Sequence, residues 1–457
     1  MQLTQKKGFK KIAPALATAS CALVAGAGMM TVESALASEN GAKGAPGTWD
    51  FEVATLLYSE SEDRVQAVEP VFSATRNFDD GEKLNVKLTF DTLTGASPNG
   101  ATPSDQVQTF TRPSGNDTYD IAKSEQPLDD TFRDTRGSLA VNWSAPINRQ
   151  WEYSTGGYFS KEYDYLSIGV NGGLTRYFNQ KNTSLNMGLS FANDMIEPEG
   201  GIPVGLSEMA HRSSPDFDNE FESSRTGDDS KTVVDLLFGV TQIIDKNSLF
   251  QVNYGASMSS GYLTDPFKVL SVIDDNAAGG NYGGNVTDGN GNNIYLYEAR
   301  PDSRLKHTLF LQYKRYINDG DVLDASYRFL VDDWGINSHT LDFKYRFALG
   351  TSSYLEPHLR YYMQSEADFY KRFVDNTDYN SGNPNIIEAS ADERLSEMTA
   401  STVGLKYGQA LANGHEFSIR GEYYMQTHDG QEGYGALASQ ELYPDSDAMM
   451  LQFTYSF

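Results

Sequence analysis

The sequence predicts an all-β, membrane-spanning, up-and-down antiparallel barrel of about sixteen strands, with about fourteen or eighteen as the neighbouring counts. Three observations predict it. Runs of about ten residues alternate apolar and polar side chains, as strands with one face to hydrocarbon must. The connections between these runs are short turns on one side and, on the other, mostly long polar stretches. The chain also ends in a clean alternation that finishes on Phe457.

Composition narrows the alternatives. The 457 residues carry 62 acidic against 36 basic side chains, a net charge of -26, and an apolar fraction of 39%. A helical membrane protein would need several apolar stretches of about 20 residues, and a single such stretch stands at the N-terminus. A disordered acidic chain would be poor in aromatics, whereas here they reach 12% with 27 Tyr, and 41 Gly suit many tight turns. Clustered basic surface for nucleic acid is not expected in so acidic a chain.

The N-terminal stretch reads as a cleaved signal peptide. Lys6, Lys7, Lys10 and Lys11 precede an apolar segment from Ile12 to Met30, and Ala35-Leu36-Ala37 offers small residues for cleavage after Ala37. An uncleaved anchor and lipidation at Cys21 are the alternatives. Residues 1–37 contain four Lys and one Glu, so their removal takes the net charge from -26 to -29 and also removes the single Cys. Residues 38–48 are expected to be a short periplasmic segment, and 49–457 the barrel.

Strands are expected near 49–58, 65–75, 83–92, 136–144, 150–162, 165–177, 183–192, 231–243, 248–260, 303–316, 321–331, 338–348, 352–364, 395–408, 415–427 and 448–457. Leu84, Val86, Leu88 and Phe90 alternate with Asn85, Lys87, Thr89 and Asp91; Leu341, Phe343, Tyr345 and Phe347 alternate with Asp342, Lys344 and Arg346. Joins after even-numbered strands are short and rich in Asn, Asp and Gly, such as Asn77–Gly81, Asn318-Asp319-Gly320 and Ala412-Asn413-Gly414, which suit hairpins. Joins after odd-numbered strands include the long stretches 93–135, 193–230, 261–302, 365–394 and 428–447, with 59–64 and 333–337 short. A soluble β-sandwich would have no reason to put its long connections on one side. Short periplasmic turns, long extracellular loops and an even strand count describe an outer-membrane barrel. Trp49, Tyr58, Trp143, Trp151, Tyr177, Tyr316 and Trp334 at strand ends are expected as interfacial girdles. In the last strand Phe453, Tyr455 and Phe457 resemble the C-terminal signal that barrel-assembly machinery reads.

About sixteen strands leave an aqueous lumen unless loops fill it. With the apolar phase toward lipid, Arg304, Lys306, Lys314, Arg328, Lys344, Arg346 and Arg360 point inward with Asp324, Asp342 and Glu356. Such a basic wall facing acidic loops would make a transverse field favouring anions. Alternatively the charges pair across strands and stiffen a wet interior.

Other chemistry is thin. Asp288-Gly289-Asn290-Gly291-Asn292 echoes a calcium loop, but Asn293 stands where Gly is needed and Ala299 where the bidentate Glu belongs. It is expected to be solvated loop. No metal or cofactor motif is expected. His211, His307, His339, His358, His415 and His428 form no compact set with Ser or Asp. His307 and His339 fall in the lipid-facing phase, His415 in a turn, His358 in the lumen and His428 on a loop; an enzyme is not expected.

Several stretches carry more identity than a barrel requires. They run from Asp91 to Ala101, from Pro127 to Arg136, from Phe159 to Tyr165, from Gly261 to Lys268 and from Glu298 to Arg304. Among their phrases are Thr94-Gly95-Ala96-Ser97-Pro98-Asn99-Gly100, Thr131-Phe132-Arg133-Asp134-Thr135-Arg136 and Ala299-Arg300-Pro301-Asp302. Together they resemble the bacterial outer-membrane family catalogued as domain of unknown function 3570, over nearly the whole mature chain. The resemblance implies a barrel and supplies no established activity. It suggests a neighbourhood with a small periplasmic lipoprotein, a thioredoxin-like protein and a flavin transferase, hence a link to periplasmic redox or flavin traffic. Arg133 with Asp129 and Asp130, and Arg300 with Asp302, are expected to latch loops or to fold inward. The expected function is a porin-like conduit for small, anionic solutes, in contact with outer-membrane lipid and lipopolysaccharide. The alternative is a non-conducting scaffold barrel with a loop-filled lumen.

Overall fold

The computed structural model describes residues 47–61, 64–276, 282–317, 320–379 and 385–457. The expected leader with Ala35 and Ala37, most of the segment 38–48, and turn positions 318–319 lie outside the described residues.

Sixteen strands close into one antiparallel barrel. They are β1 (Trp49–Glu60), β2 (Gln66–Asn77), β3 (Lys83–Pro98), β4 (Leu128–Pro146), β5 (Trp151–Lys161), β6 (Tyr165–Phe178), β7 (Thr183–Ile196), β8 (Asp229–Asp245), β9 (Ser248–Gly261), β10 (Ser303–Tyr316), β11 (Val322–Asp332), β12 (Asn337–Leu349), β13 (Ser353–Gln364), β14 (Glu397–Ala410), β15 (Glu416–Asp429) and β16 (Ser446–Ser456). Each strand pairs with its sequence neighbours, and β16 pairs with β1 through a register that places Leu57 opposite Leu451. Closure satisfies every edge, which a strand in hydrocarbon requires. Among the described residues no helix is long and apolar enough to cross a membrane.

One phase of each strand is apolar and turned outward. Ile168 and Val170 on β6, Leu189 and Phe191 on β7, Leu236 and Phe238 on β8, and Val403 and Leu405 on β14 are all exposed on this face. In water such a belt would be an aggregation surface; around a closed barrel it suits lipid. Trp49, Trp143 and Trp151 gather on this face at the short-turn rim, where Arg76 lies over Trp49 (5.6 Å) and Arg176 over Trp151 (5.1 Å). Four expected girdle residues do otherwise. Tyr58, Tyr177 and Tyr316 fall in the inward phase, the first two donating to Glu60 and Glu152, and Trp334 is buried edge-on against Phe369. A strand-end position gives height along the barrel; the alternation phase decides the face.

The stretch 93–135 is less of a loop than its polarity predicts. β3 runs on to Pro98 and β4 starts at Leu128, so this hairpin extends past the others. The extension bends at Gly95, where the register shifts. There φ is 125°, and a Cβ would collide with the Arg64 carbonyl oxygen, so only glycine fits.

The five long loops, leaving after β3, β7, β9, β13 and β15, fold together. Val269–Ile273 forms a small sheet, antiparallel to Tyr295–Tyr297 and parallel to Val374–Asp375. Gln108–Thr111 pairs with Thr118–Ile121. Leu270, Val272, Ile273, Leu296, Phe373 and Val374 are 0% exposed. The Asn99 carbonyl oxygen accepts from the Val269 N–H (2.8 Å). That contact joins loops rooted six strands apart on a ring of sixteen. From strand spacing of about 4.8 Å and tilt near 40°, the ring is about 30 Å across. Chains rooted so far apart meet only by reaching over the mouth, so the loops form a cap with a core of its own.

Candidate functional site

The inward phase of β10 to β13 carries all ten charges singled out from the sequence. Most of the cations are held by neighbours. Arg304 Nε donates to Asp332 (2.8 Å), whose other oxygen accepts the Trp334 and Ile336 N–H groups (3.1 and 2.9 Å). Lys314 meets Asp324 at 2.9 Å, Lys344 meets Asp342 at 3.5 Å, and Arg346 meets Glu356 at 3.1 Å. Lys306 lies opposite Asp332 in register, but that carboxylate is already engaged by Arg304. Arg328 faces Phe310, its guanidinium 5.8 Å from the ring. Arg360 lies opposite Asp342, which also holds Lys344 and accepts from His358 Nε2 at 2.8 Å. His358 Nδ1 in turn sits 2.7 Å from Glu422 on β15.

The acidic counterpart is in the wall as well as in the loops. On β2 to β4, Asp91 pairs with Arg136, and Glu69 and, just past β5, Glu162 each stand 4.0 Å from the same guanidinium. Asp194 on β7 accepts from Tyr165 and Ser167 and stands 3.4 Å from Lys231. β3 and β11 are eight places apart in a ring of sixteen. The Asp91 cluster therefore lies across the lumen from Arg328. Between them, β5 to β9 turn small residues inward, including Gly156, Gly173, Gly188 and Ser257. This part of the wall takes up little of the cross-section.

One repeated sequence feature escaped the pattern reading. The tetrapeptide Tyr-Tyr-Met-Gln occurs at 361–364 on β13 and again at 423–426 on β15. In each copy the second tyrosine faces inward and donates to the glutamine two residues on, Tyr362 to Gln364 and Tyr424 to Gln426, both at 2.5 Å. Gln364 Nε2 then donates to the Arg394 and Ser396 carbonyls (3.0 and 2.8 Å) at the base of the cap. Gln426 donates to His428, which bonds Ser396 at 2.9 Å. His428 therefore sits buried at the end of β15, not on a loop; polar β15 residues continue pairing with Glu397 and Met398 beyond the apolar belt. A search for repeats would have found these segments.

The cap is held by an ionic cluster in which Glu298 and Asp392 are buried and Arg394 reaches the surface. Arg300 reaches Glu298 and Asp392, both at 2.7 Å. Arg394 donates to Asp392 (2.9 Å) and Asp265 (2.8 Å), and Glu298 accepts the Asp265 N–H (2.6 Å). Three carboxylates thus share two guanidinium groups. Burial, only partly opposed by Arg300, pushes Glu298 up. Burial would also raise Asp392, but Arg394 and Arg300 outweigh it and hold this carboxyl well below the usual range. The expected latches differ. Arg300 takes Glu298 and Asp392 rather than Asp302, and Asp129 and Asp130 meet Arg112 (3.6 and 3.2 Å), while the Arg133 side chain is exposed. For Arg300, a partner far away in sequence outcompetes a neighbour, because closing loops across the mouth brings the pair into drier surroundings.

A second buried cation ties the cap. Arg372, 2% exposed, donates to the carbonyl oxygens of Leu442 (2.9 Å), Gly100 (2.7 Å) and Ala101 (3.2 Å), joining three loops. Asp288 folds on itself, accepting the Asn290 and Asn292 N–H groups (2.8 and 2.9 Å). Among the described residues no group of three or more His, Cys, Asp or Glu is placed to hold a metal ion. The lipid-phase histidines bond tyrosines, His307 to Tyr254 and His339 to Tyr327, both at 2.7 Å.

At the seam, Phe457 N–H donates to Phe51 O (2.9 Å) and Phe51 N–H to Phe457 O (2.8 Å), with the rings 5.4 Å apart. Phe453 and Tyr455 stand outward on the same strand, opposite Thr55 and Val53.

Among solved structures the chain is similar to a bacterial polysaccharide outer membrane secretin, at 8% identity over 90% of this chain and 99% of that one, with a TM-score of 0.43. It is similar to the toluene transporter TodX of Pseudomonas putida, at 10% identity over 90% of each chain and a TM-score of 0.35. The ferric enterobactin receptor PfeA of Pseudomonas aeruginosa matches at 10% identity over 90% of this chain and 60% of that one, with a TM-score of 0.42. Likeness this distant says nothing about a solute. No curated protein matches the sequence. The family model described as protein of unknown function (DUF3570) matches residues 13–457, barrel and cap together, and the chain belongs to that family.

Proposed function

We propose that the protein is a conduit of the bacterial outer membrane for small anionic solutes, with the cap on the outer side governing entry. The observation that carries this reading is the opposition of charge across the inner wall, Arg328, Lys344 and Arg360 on one arc and Glu69, Asp91 and Glu162 on the other. A strand ring about 30 Å across is too wide for wall side chains alone to fill. Opposed charges in such a space orient and focus ions, and their field is stronger where water is confined. The scaffold reading is favoured by a different observation, the fully buried core of the cap.

Reconstitution in planar bilayers under a salt gradient tests the reading. The protein should conduct with a reversal potential biased to anions. Neutralising Arg328, Lys344 and Arg346 together should move that potential toward cation selectivity. An unchanged potential defeats the field argument, and a folded but silent barrel favours the scaffold.

A further inference from the structure

We propose that the short-turn rim carries two matching sites for the phosphate of a glycerophospholipid, one at Arg76 and one at Arg176. The inference goes beyond the conduit reading and shares with it only the orientation, cap outward, which puts this rim in the inner leaflet.

A repeat builds the sites. Thr-Arg-x-Phe occurs at 75–78, at the end of β2, and again at 175–178, at the end of β6. In both copies the residue opposite the arginine in register is the tryptophan that opens the neighbouring strand, Trp49 for Arg76 and Trp151 for Arg176. Each guanidinium therefore lies against two rings. Arg76 is 5.6 Å from Trp49 and 4.9 Å from Phe78; Arg176 is 5.1 Å from Trp151 and 4.6 Å from Phe178. The arginines and tryptophans belong to the lipid-facing phase, and Trp49 and Phe178 are 39% and 37% exposed. Trp143 packs on Phe78 at 5.3 Å and continues the aromatic surface between the two boxes. The boxes are four strands apart on the ring, about 20 Å, so each has room for its own headgroup.

Neither cation has a carboxylate or a hydrogen-bond acceptor among the described residues, and Asp79, Asp80 and Glu82 in the turn after Arg76 form no ion pair with it. Arg76 Nε is buried without an acceptor, which leaves the terminal nitrogens as the donors it can offer. Stacking holds a guanidinium by its faces and orients it, but leaves its charge and its N–H edge unanswered. A fixed cation at the edge of hydrocarbon is costly without an anion. At this depth the inner leaflet supplies one, the phospholipid phosphate, whose oxygens take paired hydrogen bonds from the guanidinium fork. Above each box the lipid's acyl chains meet exposed apolar side chains, Phe72 and Val68 on β2, Val170 and Ile168 on β6.

Native mass spectrometry of the detergent-folded protein titrated with dimyristoylphosphatidylglycerol tests the sites. The parent should hold two phospholipids more tightly than any others. Arg76→Gln and Arg176→Gln should each lose one of them, with affinity at that box falling about tenfold or more. Arg315 is the control: it stands outward on the same rim, bonds Tyr313 at 3.4 Å and, among the described residues, is stacked on no ring. Arg315→Gln should keep both lipids. Dimyristoylglycerol, which lacks the phosphate, should bind the parent at least about tenfold more weakly, a comparison that needs no variant. Inorganic phosphate at equal concentration should displace nothing. Folding of each variant is read from heat-modifiable mobility on gels. Lipid held equally by Arg76→Gln and Arg176→Gln, an equal loss in Arg315→Gln, equal binding of dimyristoylglycerol, or displacement by inorganic phosphate would overturn the inference. Bilayer conductance separates it from the conduit reading. Anion-selective current without retained phospholipid sinks the sites alone, and phospholipid retained on a silent barrel sinks the conduit alone.

Discussion

Arg372→Ala should loosen the cap while leaving the barrel intact. The guanidinium is 2% exposed and its three hydrogen bonds end on backbone carbonyls from two other loops. Truncation strands three buried acceptors and opens a cavity. A hydrogen bond to a charged group contributes about 1.5–3 kcal/mol, and an orphaned buried acceptor costs about 1–3 kcal/mol. These overlap, and water entering the cavity recovers part, so the opening free energy of the cap should fall by about 3–5 kcal/mol. That is roughly a hundredfold to a few thousandfold in the open population. Amide hydrogen exchange on the detergent-folded protein reads it directly. Val269–Ile273 and Val374–Asp375, strands of the cap's small sheet, should exchange faster by that factor. Strands such as β7 and β8, embedded in the ring, should keep their protection. If cap amides accelerate less than about threefold, Arg372 does not hold the loops together. If β7 and β8 accelerate equally, cap and barrel are one cooperative unit.

Two further outcomes follow from the cap cluster and the seam. Asp392 is held down, so the stability it contributes is present above the ordinary carboxylate value, near 4, and is lost as pH falls through its depressed value. Glu298 is pushed up and acts in the opposite sense, favouring the folded cap as pH falls through its raised value. Cap protection factors should therefore rise slightly on mild acidification and collapse below about pH 4; Glu298→Gln should remove the rise and keep the collapse, and a profile flat to strong acid would contradict both assignments. Deleting Phe457 removes the paired hydrogen bonds to Phe51 and the terminal aromatic of the expected assembly signal. The folded, heat-modifiable fraction in outer membranes should drop severalfold, and an undiminished fraction would show that the terminal ring is dispensable.

The barrel was legible because hydrocarbon enforces alternation. Wherever one face of a strand meets lipid, as in Leu341, Phe343 and Phe347, the period of two is written in the residues, and strand number and the side of the long loops follow. Legibility stopped where the lipid stops. Residues 93–98 and 128–135 pair as strands, yet Thr94, Ser97, Asp129 and Asp134 lie above the belt, and nothing there forces an apolar face. Val269–Ile273 is a continuous apolar run inside a stretch otherwise polar, and it becomes a strand because four other loops cover it. The wall charges were placed on the correct face by phase alone, but their partners were not deducible. Arg300 and Asp392 are 92 residues apart in sequence, and only closure of the mouth brings them together. The acidic arc escaped notice because Glu69 and Asp91 stand on separate strands and Glu162 just past the end of β5, and they become one cluster only around Arg136.

Closure of the ring in a membrane underlies both the lumen and the cap above it, and cross-linking across the seam tests it most directly. Leu57 on β1 and Leu451 on β16 are register partners on the lipid-facing side, and the expected processed chain has no cysteine to interfere. With Leu57→Cys and Leu451→Cys combined, membrane-embedded protein treated with a lipid-soluble oxidant should form an intramolecular disulfide in nearly every folded copy, and Leu57→Cys with Phe453→Cys, two residues out of register, markedly less. Disulfides only between separate molecules, or none in protein extracted folded from the membrane, would mean that the first and last strands do not meet.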